Sequence, residues 1–275
     1  MSDRRTGTVS ILFAVPLALA LAQACSSGSS GSTGPGAHDP SQQSESEYDV
    51  AKDLWLRRGK TRDALEHALK AVELDDENAD AAHLVALLYL DFCSQSRDEC
   101  RLPEAERHAR RALALKPDFR EARNTLAVVL IHEKKPAAAV ELLRPLTEDI
   151  LYQTPENAWG NLGWAYLELG KLDPAIDALR RSVAAQPQFC VGNYRLGVAH
   201  ERKGELGPAL TAFTRALETE APGCKGLQEA WAGRARVSFR AGNVDSARAD
   251  LAQCLKLSET TSAGKECRSM LAKLK

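Results

Sequence analysis

Aromatic side chains are scarce in this 275-residue sequence, at 5% of the total. A β-sandwich draws heavily on aromatic and β-branched residues. The scarcity therefore argues for closely spaced helices with a core of Ala, Leu and Val. An excess of either charge is also missing: 36 Lys plus Arg stand against 37 Asp plus Glu, a net charge of −1. That balance excludes a strongly basic nucleic-acid binder and a polyacidic tail protein. The apolar run near the start, Ile11 to Ala22, is interrupted by Pro16 and falls short of the roughly 20 residues that a permanent membrane span needs. Chemistry-bearing motifs are lacking too. There is no phosphate-binding glycine loop, HExxH, GxSxG or paired-carboxylate constellation. No enzyme, cofactor or metal site is expected.

What the sequence does have begins at its first residues. Arg4 and Arg5 precede the apolar run, and small residues follow it, which is the build of a secretory signal over residues 1–24. The junction Leu21-Ala22-Gln23-Ala24-Cys25 resembles a bacterial lipobox. That resemblance implies cleavage before Cys25 and lipidation of its thiol and amine. With Ser26 next, it also implies an outer-membrane, periplasm-facing location. An ordinary Ala-x-Ala cleavage site that leaves Cys25 as the first residue is the alternative. Residues 25–44 are almost devoid of apolar side chains and are expected to form a flexible Gly/Ser linker.

The rest of the chain repeats. In the segment starting at Glu156, Trp159, Leu162, Gly163, Tyr166, Gly170, Ala175, Leu179 and Pro187 fall at positions 4, 7, 8, 11, 15, 20, 24 and 32 of a 34-residue unit. Leu196, Gly197, Gly204, Ala209, Phe213 and Ala216 follow one unit later, in register. This pattern resembles the tetratricopeptide repeat. Extended in both directions, it divides residues 45–261 into six units: 45–78, 79–119, 120–155, 156–189, 190–227 and 228–261. Residues 262–275 are left as a C-terminal capping helix. The expected fold is all-α, a right-handed superhelical solenoid with a groove lined by the first helix of each unit.

The register places the remaining cysteines. Cys93 and Cys100 share the turn insertion of the second unit. Cys190 starts the fifth unit, and Cys224 lies in the loop after that unit's second helix. Cys254 is on the last repeat and Cys267 on the cap. Nearest-neighbour disulfides would join 93–100, 190–224 and 254–267, in keeping with an oxidising compartment. Buried free thiols and, less favoured for want of CxxC spacing, a zinc site are the alternatives.

Positions 9 and 12 of each first helix point into the groove of such arrays. Here they supply an apolar stripe, Leu87, Leu90, Val128, Ile131, Trp164, Leu167 and Val198, which Tyr194 at position 5 joins. These eight residues are the candidate partner-binding set, against the alternative that they pack on one another or under the linker. His83 and His132 also face the groove, as scattered surface histidines do in proteins without acid–base chemistry. The Lys, Asn and Arg set with which chaperone-binding relatives hold a peptide's C-terminal carboxylate is missing, so a hydrophobic segment is the expected ligand.

An exported, lipidated six-repeat chain carrying NADAAHLVALLYLDFC, ILYQTPENAWGNLGWAYLELG and AAQPQFCVGNYRLG resembles the type IV pilus pilotins. That family consists of outer-membrane lipoproteins that help secretin subunits assemble. The resemblance implies a non-enzymatic scaffold, membrane-bound through its lipid, whose partner is a secretin subunit or a hydrophobic segment of another envelope protein, with no role for nucleic acid. A lipoprotein adaptor that regulates a peptidoglycan synthase or protease is the alternative.

Overall fold

Alanines spaced at i, i+4 and i+7 recur along the chain. Ala64, Ala68 and Ala71 are one set, Ala105, Ala109 and Ala112 another, and all six are fully buried. That spacing lines one face of a helix, and side chains so small let the neighbouring helix approach closely. The computed structural model describes residues 39–95, 98–221 and 223–274. Among them it has thirteen α-helices and no strand. Six helical hairpins follow one another: α1 (Pro40–Leu56) with α2 (Thr61–Leu74), α3 (Ala79–Gln95) with α4 (Leu102–Leu115), and α5 (Arg120–His132) with α6 (Pro136–Glu148). Then come α7 (Pro155–Glu168) with α8 (Leu172–Ala185), α9 (Cys190–Lys203) with α10 (Leu206–Glu218), and α11 (Gln228–Arg240) with α12 (Val244–Leu257). A single helix, α13 (Ser262–Lys273), closes the array against α11 and α12. Each first helix meets its own partner and the first helices on either side, as α7 meets α8, α5 and α9.

The hairpins close as tightly as their small residues allow. A β-carbon added at Gly163 would come within 2.5 Å of Leu179 Cγ and 3.2 Å of the Ala175 carbonyl oxygen, so α7 and α8 pack without a spacer there. Gly170 ends α7 at φ +70°, a left-handed conformation that a β-carbon opposes. The Gly170 and Lys171 amides donate back to the Leu167 and Tyr166 carbonyls at 3.1 and 2.9 Å. In the third hairpin Lys134 takes the same left-handed turn at φ +62° without being glycine.

The first helix begins earlier than composition suggests. Pro40 to Ser44, inside the segment expected to be linker, are the first residues of α1. Asp39 caps them by accepting from the Ser41 amide at 3.1 Å, and Pro40 suits a first turn that needs no N–H donor. Ser44 is fully buried, donates to the Ala71 carbonyl at 2.7 Å and accepts from Asn78 Nδ2 at 2.9 Å. The run of Ser, Gln and Glu is thus a helix that is mostly solvated but is anchored to α2 through Ser44. The expected signal segment 1–24, Cys25 and the linker up to residue 38 lie outside the described residues. No described helix is long and apolar enough to cross a membrane.

Three disulfides join Cys93 to Cys100, Cys190 to Cys224 and Cys254 to Cys267. These six sulfurs are therefore neither free thiols nor zinc ligands. The last bridge holds the cap: Cys254 and Cys267 are fully buried, among Leu251, Met270 and Leu271. Closing its loop is worth at most about 3 kcal/mol by chain entropy. Replacing both cysteines with alanine is expected to lower unfolding free energy by about 2 kcal/mol. Hydrogen exchange in α13 should rise while that in α3 to α6 stays unchanged. Uniform loss of protection along the chain would contradict a local role for this bridge.

Candidate functional site

The eight candidate groove residues do not form one open stripe. Ile131 and Leu167 are 1% and 3% exposed and belong to the core, while the other six are half-buried. Ile131 packs with Leu126, Leu130 and Leu143. Where hairpins packed through alanine and glycine sit this close, position 12 is drawn inward. At the ends of the array the same position is exposed, as Leu56 (65%) and Phe239 (46%) show.

Half of the candidate set converges. Trp164 and Leu167 on α7, with Tyr194 and Val198 on α9, line a hollow of about 410 Å³. Leu87, Leu90, Val128 and Ile131 lie outside it. The hollow is completed by residues that positions 9 and 12 do not reach. Val191 and Arg195 come from α9, His132, Glu168 and Arg202 from the ends of three first helices, and Leu227 and Glu229 from the start of the sixth hairpin. A signal for several of these was available, since His132, Glu168 and Arg202 all occupy position 13 of their units. The Cys190–Cys224 bridge ties the start of α9 to the loop that leads into Leu227.

Trp164 is the centre of this site. The His132 ring meets it edge-on at 4.9 Å between centroids, and the Arg195 guanidinium stacks on it at 4.3 Å. Arg195 Nη1 donates to Asn161 Oδ1 at 2.9 Å and to the Gly160 carbonyl at 3.3 Å. Burial lowers the Arg195 pKa to about 10, so the group stays cationic at neutral pH. Desolvation of the His132 ring, and then the charges of Arg195 and Lys134, lower its pKa as well. Burial raises the Tyr194 phenol, which stays neutral. Arg202 Nη1 donates to the Leu167 carbonyl at 3.0 Å, and Glu168 pairs with Lys134 at 3.1 Å. The wall is apolar, with cationic groups set into it.

His83 and His132 are not brought together. His83 Nε2 shares a hydrogen bond with Thr125 Oγ1 at 2.9 Å, and its ring packs edge-on against Phe119. No group of three or more potential metal ligands occurs among the described residues.

Residues 156–189 match one tetratricopeptide-repeat family model, and residues 101–150 and 194–259 match another. Together these segments exceed half of the chain. The chain belongs to the tetratricopeptide-repeat family. Domains of this family mediate protein–protein interaction, and the hollow on α7 and α9 is where this tetratricopeptide array offers a shaped apolar surface. Among solved structures, the array is similar to PilW, described as a widely conserved type IV pilus biogenesis factor. The two are 24% identical over 82% of this chain and 97% of PilW, with a TM-score of 0.67. It is similar also to Pseudomonas aeruginosa PilF, 18% identical over 85% of this chain and 100% of PilF, TM-score 0.63. A tetratricopeptide-repeat protein from Parabacteroides merdae is 13% identical over 83% of this chain and 84% of its own, TM-score 0.66. At these identities the likeness is one of fold. No curated protein matches the chain in sequence.

Proposed function

We propose that this tetratricopeptide protein is a pilotin-like lipoprotein, anchored in the outer membrane through Cys25, that holds a hydrophobic segment of a type IV pilus secretin subunit during assembly. The observation that carries the reading is the hollow around Trp164, an apolar recess with an aromatic anchor of the kind that dominates binding energy. Its setting in a solenoid of the PilW and PilF fold, and the lipobox-like junction at Cys25, support the pilus and membrane parts of the proposal. The role needs no catalysis, only transient burial of a segment that would otherwise aggregate.

A photo-crosslinking side chain at Val191, on the wall of the hollow, tests the proposal in living cells. It should capture a secretin subunit, and the same group at exposed Leu257 on α12 should not. Trp164→Ala combined with Val191→Ser is expected to weaken binding roughly thirty-fold. Heat-resistant secretin multimers should then fall while monomers persist. Leu167 is left intact in this variant because its side chain supports the core. Capture of a peptidoglycan synthase or a protease at Val191, with multimers unchanged on full deletion, would replace the pilotin reading with the adaptor one. Cys25→Ser should leave the protein unlipidated and release it from the outer-membrane fraction.

A further inference from the structure

Three other half-buried arginines of this array have carboxylate partners. Arg234 holds Asp250 through two bonds of 2.9 and 2.7 Å, Arg236 holds Glu201 and Glu266, and Arg120 holds Asp149 at 2.6 Å. Arg195 has none. Its contacts are the Asn161 side-chain oxygen, the Gly160 carbonyl and the face of Trp164, all of them neutral. No ion pair holds it among the described residues. A desolvated cation without a counter-charge is costly, and this one lines the hollow.

The hollow's own acids do not neutralise it. Glu168 is engaged by Lys134, and Glu229 is exposed. A second guanidinium, that of Arg202, stands at the same hollow with only a carbonyl as partner. The chain's own N-terminal segment offers no counter-charge either. From Cys25 to His38 it has neither Asp nor Glu, and Asp39 is spent on capping α1.

We propose that the hollow receives one carboxylate, carried by an Asp or Glu side chain in the middle of an otherwise apolar segment of the partner protein, and that Arg195 is its counter-ion. The inference rests on the protein-binding reading above and adds the chemistry of the ligand. Apolar wall lies on both sides of Arg195, with Trp164 and Leu167 on the α7 side and Leu227 on the side of the sixth hairpin. An acid flanked by apolar residues in both directions fills that wall, whereas a chain terminus would fill one side only. The stacked, hydrogen-bonded guanidinium is already oriented, so little rotamer freedom is lost on pairing.

The test is a peptide selection on the whole oxidised protein, with random segments displayed as loops tethered at both ends and, separately, with free C-termini. Tethered segments enriched by the wild type should carry a single Asp or Glu between apolar residues. Selection on Arg195→Gln should enrich apolar segments without that acid. For an enriched peptide, changing its acid to the amide should weaken binding to wild type roughly thirty-fold and leave binding to Arg195→Gln unchanged, the mark of a direct pair. Arg195→Lys should retain part of the acid preference. Circular dichroism of each variant checks that the helices persist. Enrichment of apolar segments with no acid overturns this proposal alone. Acid enrichment confined to free C-termini overturns the mid-segment assignment, and self-association abolished by Arg195→Gln would put a second copy in the hollow instead. If neither library enriches on wild type, the protein-binding reading falls with it.

Discussion

Replacing Phe213 with alanine is expected to lower the unfolding free energy by about 3–5 kcal/mol, among the larger losses a single core truncation causes. Phe213 is fully buried on α10 and has glycine on two sides. A β-carbon at Gly197 on α9 would come within 2.6 Å of the ring, and one at Gly233 on α11 also within 2.6 Å. The ring therefore occupies space that two consecutive hairpins vacate for it, and its removal opens a void at their joint. The converse changes, Gly197→Val or Gly233→Val, overfill the same space and should cost about 1–3 kcal/mol each. The pair is coupled: Gly197→Ala with Phe213→Leu should be destabilised by less than the sum of the two single changes. Urea titration of the four proteins measures this, and strict additivity would contradict the shared space. Because each hairpin touches only its neighbours, exchange protection should collapse in α9 to α11 and persist in α1 to α4.

Acidification from pH 7 to pH 4.5 is expected to destabilise the protein by on the order of 2 kcal/mol for each of two histidines. His83 and His108 have their pKa lowered to about 4 from an ordinary 6.5, with burial as the main cause in both. Asp80 partly opposes the shift at His83. Arg107 adds to it at His108, where Glu104 opposes. His108 is 5% exposed, and its Nε2 has no hydrogen-bond partner, the one such buried side-chain atom among the described residues. The folded value lies below the unfolded one, so as pH falls the unfolded chain takes up its proton first. Stability is therefore full above about 6.5 and is lost progressively down to about 4. Glu47, Glu104, Glu106, Asp149 and Glu205 have their pKa values lowered by cationic partners, so the stability they contribute is lost only as pH falls below the ordinary carboxylate range. His83→Gln and His108→Gln should each flatten the decline between pH 7 and 4.5 in urea midpoints. Equal declines in wild type and both variants would assign the acid sensitivity elsewhere.

Much of the architecture was legible because the repeat couples residue type to geometry. Gly163, Gly170 and Ala175 mark a close contact and a left-handed turn wherever they recur, and the cysteine pairs follow from that register. The start of α1 was not legible, because Ser41, Gln42, Gln43 and Ser44 have the composition of a linker while one of them is wholly buried by tertiary contacts. The groove was legible in half. Positions 9 and 12 identify Trp164 and Val198 as lining residues, but they do not reveal that position 12 sinks into the core at Ile131 and Leu167. Arg195 carries no sequence signal of its own. A single arginine on a helix reads as solvated until the stacking on Trp164 and the absent counter-charge are seen in three dimensions.

The three disulfides span only 7, 34 and 13 residues, so none clamps distant hairpins together. They leave the pitch of the array free to flex while setting how far it can be drawn out. A protein tethered at one end and loaded at the other unravels hairpin by hairpin, and chain enclosed by a covalent loop contributes nothing to extension. The Cys190–Cys224 bridge alone withholds 34 residues, about 110 Å of extended backbone. Under tension the oxidised solenoid therefore behaves as a spring with a stop, and the stop falls at the hairpin that forms one wall of the hollow.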